Sequence, residues 1–157
     1  MKVVCNTTPI LSLSAIHKLS LLNDLFRKFY IPTVVYQEIK AKNGVGFTDI
    51  DHVDVEIVSI QNTAYLQLLC NELDEGEAQA IVLAKELNVD ILIIDERLGY
   101  KIAQSQQIYV IGTLTVLEIA KKKKLIDKVS PLLDELIHQG RWYSQNVKET
   151  FLKKIGE

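Results

Sequence analysis

Asn6, Glu38, Glu77, Asp95 and Glu96 are the residues of this 157-residue chain whose types and positions could do chemistry together. Asn6 follows the β-forming run Val3-Val4-Cys5, and Asp95-Glu96 is a double acid placed directly after Ile91-Leu92-Ile93-Ile94. Both fall where strands are expected to end, and open parallel sheets bind ligands beyond the carboxyl ends of their strands. Glu38 and Glu77 fall on expected helices that follow strands or approach the same end of the sheet. If the five converge, they offer hard oxygen ligands to Mg²⁺ or Mn²⁺. An ion held in this way activates a water and steadies charge on a phosphodiester undergoing displacement.

Each residue also has a purely structural role open to it. Asp74-Glu75-Gly76-Glu77 has the pattern of a capping box, with Asp74 as N-cap and Glu77 reaching back. Acids in a first turn also favour the helix dipole. Asp95 is placed to cap a helix beginning near Arg97, Thr8 before Pro9 is a sound N-cap, and Asn6 suits a turn. A lone Glu38 on a helix is ordinarily solvated surface. Arg97 and Lys101 follow Asp95 on one helix and are expected near the carboxylates, where a phosphate needs a cation. The run Lys121 to Lys124 ends a helix, where it favours the dipole or meets a phosphate. Arg141-Trp142-Tyr143 could stack a base, although aromatics in a late turn more often pack.

The elements that must position these groups alternate in type. Strands are expected at 2–5, 29–32, 55–60, 90–94 and 108–111, with the third alternating as a half-buried strand does. The continuous apolar run before Asp95 fits a strand buried on both faces of a parallel sheet. Helical spacings of three and four fill 10–26, with a break near Lys18–Ser20, and helices follow Pro32 and span 63–72, 75–88, 97–106 and 112–123. Helical segments at 127–139 and 147–155 close the chain. Strands that alternate with helices argue for βαβ units and a parallel sheet, hence an α/β fold. No repeat or second domain is visible, so 1–157 reads as one domain with a core at about 3–140 and a helical tail at about 141–157.

Composition narrows the class. Apolar residues make up 48% of the chain, too many for disorder, and no run approaches the ~20 needed to span a bilayer. No signal-peptide pattern precedes the first strand, so a cytoplasmic protein is expected, away from membranes. Cys5 and Cys70 read as buried free thiols, and His17, His52 and His138 have no metal-ligand spacing. A net charge of −2 provides no global basic field, which argues against a passive nucleic-acid coat but leaves room for a local basic rim. Neither GxGxxG nor GxxxxGK[ST] is present to support a dinucleotide or P-loop enzyme.

Five stretches taken in register resemble one family. They are residues 3–10 (VVCNTTPI), 31–39 (IPTVVYQEI), 73–81 (LDEGEAQAI), 93–97 (IIDER) and 110–114 (VIGTL). Together they make the chain similar to the PIN-domain (PilT N-terminus) superfamily, in a branch of nucleic-acid-binding proteins related to VapC-type toxin ribonucleases. The resemblance implies a three-layer α/β/α sandwich around a mostly parallel sheet and Mg²⁺- or Mn²⁺-dependent hydrolysis of RNA. It implies that Glu38, Glu77 and Asp95 are catalytic, that Asn6 and Glu96 join them as metal ligands, and that Thr7 or Thr8 supplies a hydroxyl at the substrate. An antitoxin partner and a homodimer are further implications, with apolar helices at 10–26 and 63–72 as an expected dimer face.

The departure from the superfamily is Asn6, which stands where Asp is usual; Asn at this position is common in the branch that the chain resembles. An amide oxygen ligates a hard cation but brings no charge, and ligand charge tunes affinity. Two readings therefore stand: a metal-dependent ribonuclease, or a catalytically weakened module that binds nucleic acid or a partner.

Overall fold

Apolar runs bounded by polar turns become five strands in the computed structural model, which describes residues 1–157: Val3–Cys5 (β1), Phe29–Pro32 (β2), Val55–Val58 (β3), Ile91–Ile93 (β4) and Val110–Ile111 (β5). Nine helices join and follow them: Thr7–Ala15 (α1), Leu21–Phe26 (α2), Thr33–Lys40 (α3), Thr63–Leu69 (α4), Glu75–Leu87 (α5), Arg97–Ser105 (α6), Thr113–Lys122 (α7), Ser130–His138 (α8) and Gln145–Lys154 (α9). A short 3-10 turn spans Asp49–His52. The fold is α/β, as the alternation predicts.

The sheet order is β3-β2-β1-β4-β5, and all four pairings are parallel. The chain builds outward from β1 through β2 to β3, then returns to lay β4 on the other side of β1. The direction of growth therefore reverses between β1 and β4, which opens a crevice at their carboxyl ends. Asn6 and Asp95 stand at the two lips of that crevice, and the Asn6 amide donates to the Ile93 carbonyl at 3.0 Å across it.

Successive side chains of a strand point to opposite faces, and the core divides accordingly. Val3, Cys5, Ile91 and Ile93 pack with Leu13, Leu22, Leu117 and Leu136 from α1, α2, α7 and α8. Val4, Leu92 and Ile94 pack on the opposite face with Ile81 and Leu83 of α5 and Ala103 of α6. The result is helix, sheet, helix, with β1 and β4 dry on both faces. Each of the fully buried Leu and Ile side chains contributes about 1.5–3 kcal/mol relative to exposure.

Several expectations need correction. Thr8 does not cap α1: the helix begins at Thr7, and Asn6 holds the extended N-cap backbone without a side-chain capping bond. Pro9 still sits in the first turn, where its missing N–H costs nothing. The apolar residues of 10–26 are not an outer face, because Ile10, Leu13, Ile16, Leu19, Leu21, Leu22 and Phe26 are core. On α4 the exposed apolar side chain is Leu68 (65% exposed). Cys5 is buried, but Cys70 is exposed just past the end of α4. Strand β3 does not alternate cleanly: it is an edge strand, and both Glu56 and Ile57 are exposed.

Candidate metal centre

The first lip of the crevice carries an unsatisfied group. Asn6 is only 3% exposed, and its Oδ1 is buried with no hydrogen-bond partner. Buried polar oxygens are nearly always paired, so an orphan of this kind needs a reason. Beside it, Thr7 donates its hydroxyl to Glu38 Oε2 at 2.6 Å, which ties α3 to the start of α1.

Glu38 is exposed but held. A Cβ on Gly76 would lie 2.6 Å from Glu38 Oε1 and 2.9 Å from Oε2, so the carboxylate rests against bare backbone at the start of α5. The next residue, Glu77, is 7% exposed. The capping box is half formed: Asp74 accepts from the Glu77 amide at 2.8 Å, while the Glu77 carboxylate makes no hydrogen bond back. That carboxylate instead faces α6, where its Cδ is 3.9 Å from the place a Cβ on Gly99 would take. Burial pushes the Glu77 proton affinity up to about 7, with the charges of Asp74, Glu96 and Glu38 adding to it and the Asp74–amide bond opposing. The acids from three separate stretches thus lie within one another's fields.

Asp95 occupies the other lip. It does not cap α6, whose N-cap is Glu96. Its Oδ1 accepts from the Thr113 amide at 2.8 Å and its Oδ2 from the Thr113 hydroxyl at 2.6 Å, so it caps α7 across the β4–β5 pair. Gly112 permits this approach, because a Cβ there would meet Oδ1 at 2.9 Å. Burial raises the Asp95 proton affinity, and the two Thr113 bonds and the positive charge of Arg141 act against it.

No three His, Cys, Asp or Glu side chains converge into a group that could hold a metal ion as they are placed. The expected quartet is therefore not closed: Glu38 and Glu77 feel each other's charge at the start of α5, and Asp95 stands apart from them beside Thr113 and Arg141. Asp95 is turned to Thr113, and the Glu38 carboxylate to Thr7 and Gly76. By chemistry the residues still fit a hard divalent ion. The Asn6 amide oxygen is orphaned, Glu77 has acidic neighbours and no cation among its partners, and oxygen donors are what Mg²⁺ and Mn²⁺ take.

A cleft of about 320 Å³ opens beside Asp95 and Glu96, lined also by Thr8, Ser12 and the segment 140–143. Arg97 and Lys101 do not face it. Both are exposed on α6 with no acidic partner, and the cation whose charge reaches Asp95 is Arg141. The run Lys121 to Lys124 lies at the far end of α7, about 15 Å along the helix from Thr113. Lys121 and Lys122 are taken up there in pairs with Glu157 and Glu118. Thr113 and the two glycines at 76 and 112 are residues of this site with no site role expected from the sequence, and Arg141 reads from the sequence only as part of a turn that stacks or packs. The motif Gly112-Thr113 at the end of the strand next to β4 is the signal that pointed to two of them.

A family model described as a PIN domain matches residues 2–157. The chain belongs to the PIN-domain family. No curated protein and no solved structure matches it. PIN domains are in general nucleases that act on nucleic acid with divalent metal ions, and the parallel sheet with helices on both faces is the architecture such a domain has. No helix of this PIN domain is long and apolar enough to cross a membrane.

Proposed function

We propose that this PIN domain is a metal-dependent ribonuclease that hydrolyses RNA phosphodiesters, with Mg²⁺ or Mn²⁺ held by Asn6, Glu38, Glu77 and Asp95 and assisted by Glu96. The observation that carries this reading is the orphaned Asn6 oxygen at the sheet's switch point, in a site where burial, with the charges of neighbouring acids adding to it, drives Glu77 toward protonation. A divalent ion relieves both at once, and when bound it supplies Lewis-acid stabilisation and a water of lowered pKa. The chain's own residues do the rest. Thr7 ties the Glu38 carboxylate to the start of α1, next to Asn6. Thr113 fixes both Asp95 oxygens and, through two donated bonds, favours its ionised form.

The test is Mn²⁺-dependent cleavage of structured RNAs by wild type, Glu77→Ala and Asn6→Asp. Loss of cleavage in Glu77→Ala with retention or gain in Asn6→Asp supports the reading, and equal background cleavage in all three rejects it. A toxin role restrained by an antitoxin protein and a homodimeric state belong to the same reading and rest on family membership. A cytoplasmic setting accords with the unpaired thiols of Cys5 and Cys70.

A second reading is favoured by the neutral Asn6 and by the carboxylates standing apart. In it the chain binds RNA or a partner without cleaving. Salt-sensitive RNA binding that EDTA leaves unchanged, with no turnover in Mn²⁺, would establish this second reading in place of the first.

A further inference from the structure

Trp142 is the only tryptophan of the chain and is 84% exposed, although the residues on either side of it are half-buried. Its exposure is built into a clamped bridge. Helix α8 closes with the Arg141 amide donating to Leu136 at 2.9 Å and the Gly140 amide to Ile137 at 3.0 Å, with Gly140 in the left-handed region at φ 93°. That pattern is a Schellman cap, which fixes the direction of the exit. Two residues after Trp142, Ser144 caps α9 by accepting from the Val147 amide at 3.1 Å. Only Arg141, Trp142 and Tyr143 lie between the two caps.

Within the bridge the three side chains divide the work. Tyr143 packs against the core and turns toward Asp95; burial pushes its hydroxyl up to about 12, the Asp95 charge adds to this, and Arg141 opposes. Arg141 sets its charge against Asp95. Trp142 is left at the rim of the 320 Å³ cleft, whose size is at the low end of small-ligand pockets, roughly 300–1,000 Å³. The cleft also holds Asp95 and Glu96, which repel phosphate everywhere except near Arg141. A neutral aromatic ring next to one phosphate is the ligand chemistry that suits an exposed indole, one guanidinium and two acids.

We propose that Arg141-Trp142 is a nucleotide-binding platform, in which Trp142 stacks on an unpaired base of RNA and Arg141 contacts the adjoining phosphate beside the carboxylate crevice. This rests on the nucleic-acid reading above, and the contact needs an unpaired base, because a base inside a duplex has no free face to offer. Stacking is tolerant of sequence, since every base presents such a face.

The sole tryptophan makes the contact directly readable, and EDTA separates binding from any cleavage. The full chain in EDTA is titrated with a short single-stranded RNA of mixed sequence, with the same sequence as a duplex, and with an abasic oligomer that keeps the phosphates. The platform predicts quenching of Trp142 fluorescence by the single strand and little by the other two. By anisotropy of a labelled strand, Trp142→Ala should weaken binding roughly tenfold or more, and Trp142→Phe should recover most of it. Quenching equal for single strand and abasic oligomer, or unchanged affinity in Trp142→Ala, overturns the platform. So does a fluorescence change that follows protein concentration alone, which would make Trp142 a contact between copies. Quenching by the single strand in a protein that never cleaves RNA would keep the platform and remove the nuclease.

Discussion

Replacing Glu77 by Gln removes a charge from the most crowded part of the crevice while keeping the size of the side chain. In the metal-free protein Glu77 holds its proton up to about pH 7, whereas an unfolded glutamate releases it near 4.5. Between those values the folded state binds more protons than the unfolded chain, so stability falls as pH rises through the window. At about 1.4 kcal/mol per pH unit the interval converts to about 3 kcal/mol, and water at the open mouth of the cleft screens part of it, leaving about 1–2 kcal/mol. Glu77→Gln lacks this penalty. In EDTA at pH 8 it should therefore be more stable than wild type by about that amount, a rise in Tm of roughly 2–8 °C for a chain of this size. The advantage should shrink toward pH 4.5 and vanish below it, where wild-type Glu77 is protonated in both states. Thermal unfolding followed by circular dichroism across that pH range is the assay. A variant that is no more stable than wild type at pH 8, or a difference constant with pH, would refute the assignment of Glu77 as a repelled, buried carboxylate.

Other changes probe the same crevice from different sides. Gly76→Ala should push Glu38 off its rest, since the new Cβ would stand 2.6 Å from Oε1; metal-dependent activity should fall at least tenfold while the circular dichroism spectrum is kept. Thr113→Val leaves Asp95 Oδ2 without its 2.6 Å donor in a buried setting, a cost of about 1–3 kcal/mol read by denaturant unfolding, and should move the acid limb of the activity profile to higher pH. Asn6→Asp adds a buried charge beside the other acids, so the EDTA form should lose stability while the Tm gap between EDTA and Mn²⁺ widens relative to wild type. Leu13→Ala, in the core beneath α1, should cost about 2–5 kcal/mol without changing the pH profile of cleavage, which separates fold from site.

How much of this was legible in the sequence follows from the range of each signal. The apolar run ending at Ile94 announces a strand dry on both faces, and β4 is that strand. Asn6 and Asp95 could be placed at strand ends because strand and end are neighbours in sequence. What escaped depends on which distant segments become neighbours. Thr113 reaches Asp95 only because β5 pairs with β4, and no spacing within either segment encodes that pairing. Arg141 faces Asp95 only because the cap of α8 turns the tail back over the sheet, so the nearer cations, Arg97 and Lys101, were the obvious choice. The turn at 141–143 reads as either stacking or packing, and the structure divides the two: Tyr143 takes the packing position and leaves the Trp142 indole outside.

The most direct measurement is a crystal structure of the protein soaked in Mn²⁺, read by anomalous scattering. One strong peak is expected in the crevice between β1 and β4, in contact with Asn6 Oδ1 and with at least two carboxylates of Glu38, Glu77 and Asp95, which must swing inward to meet it. An empty crevice at high Mn²⁺ concentration, or a peak bound elsewhere on the surface, would contradict it.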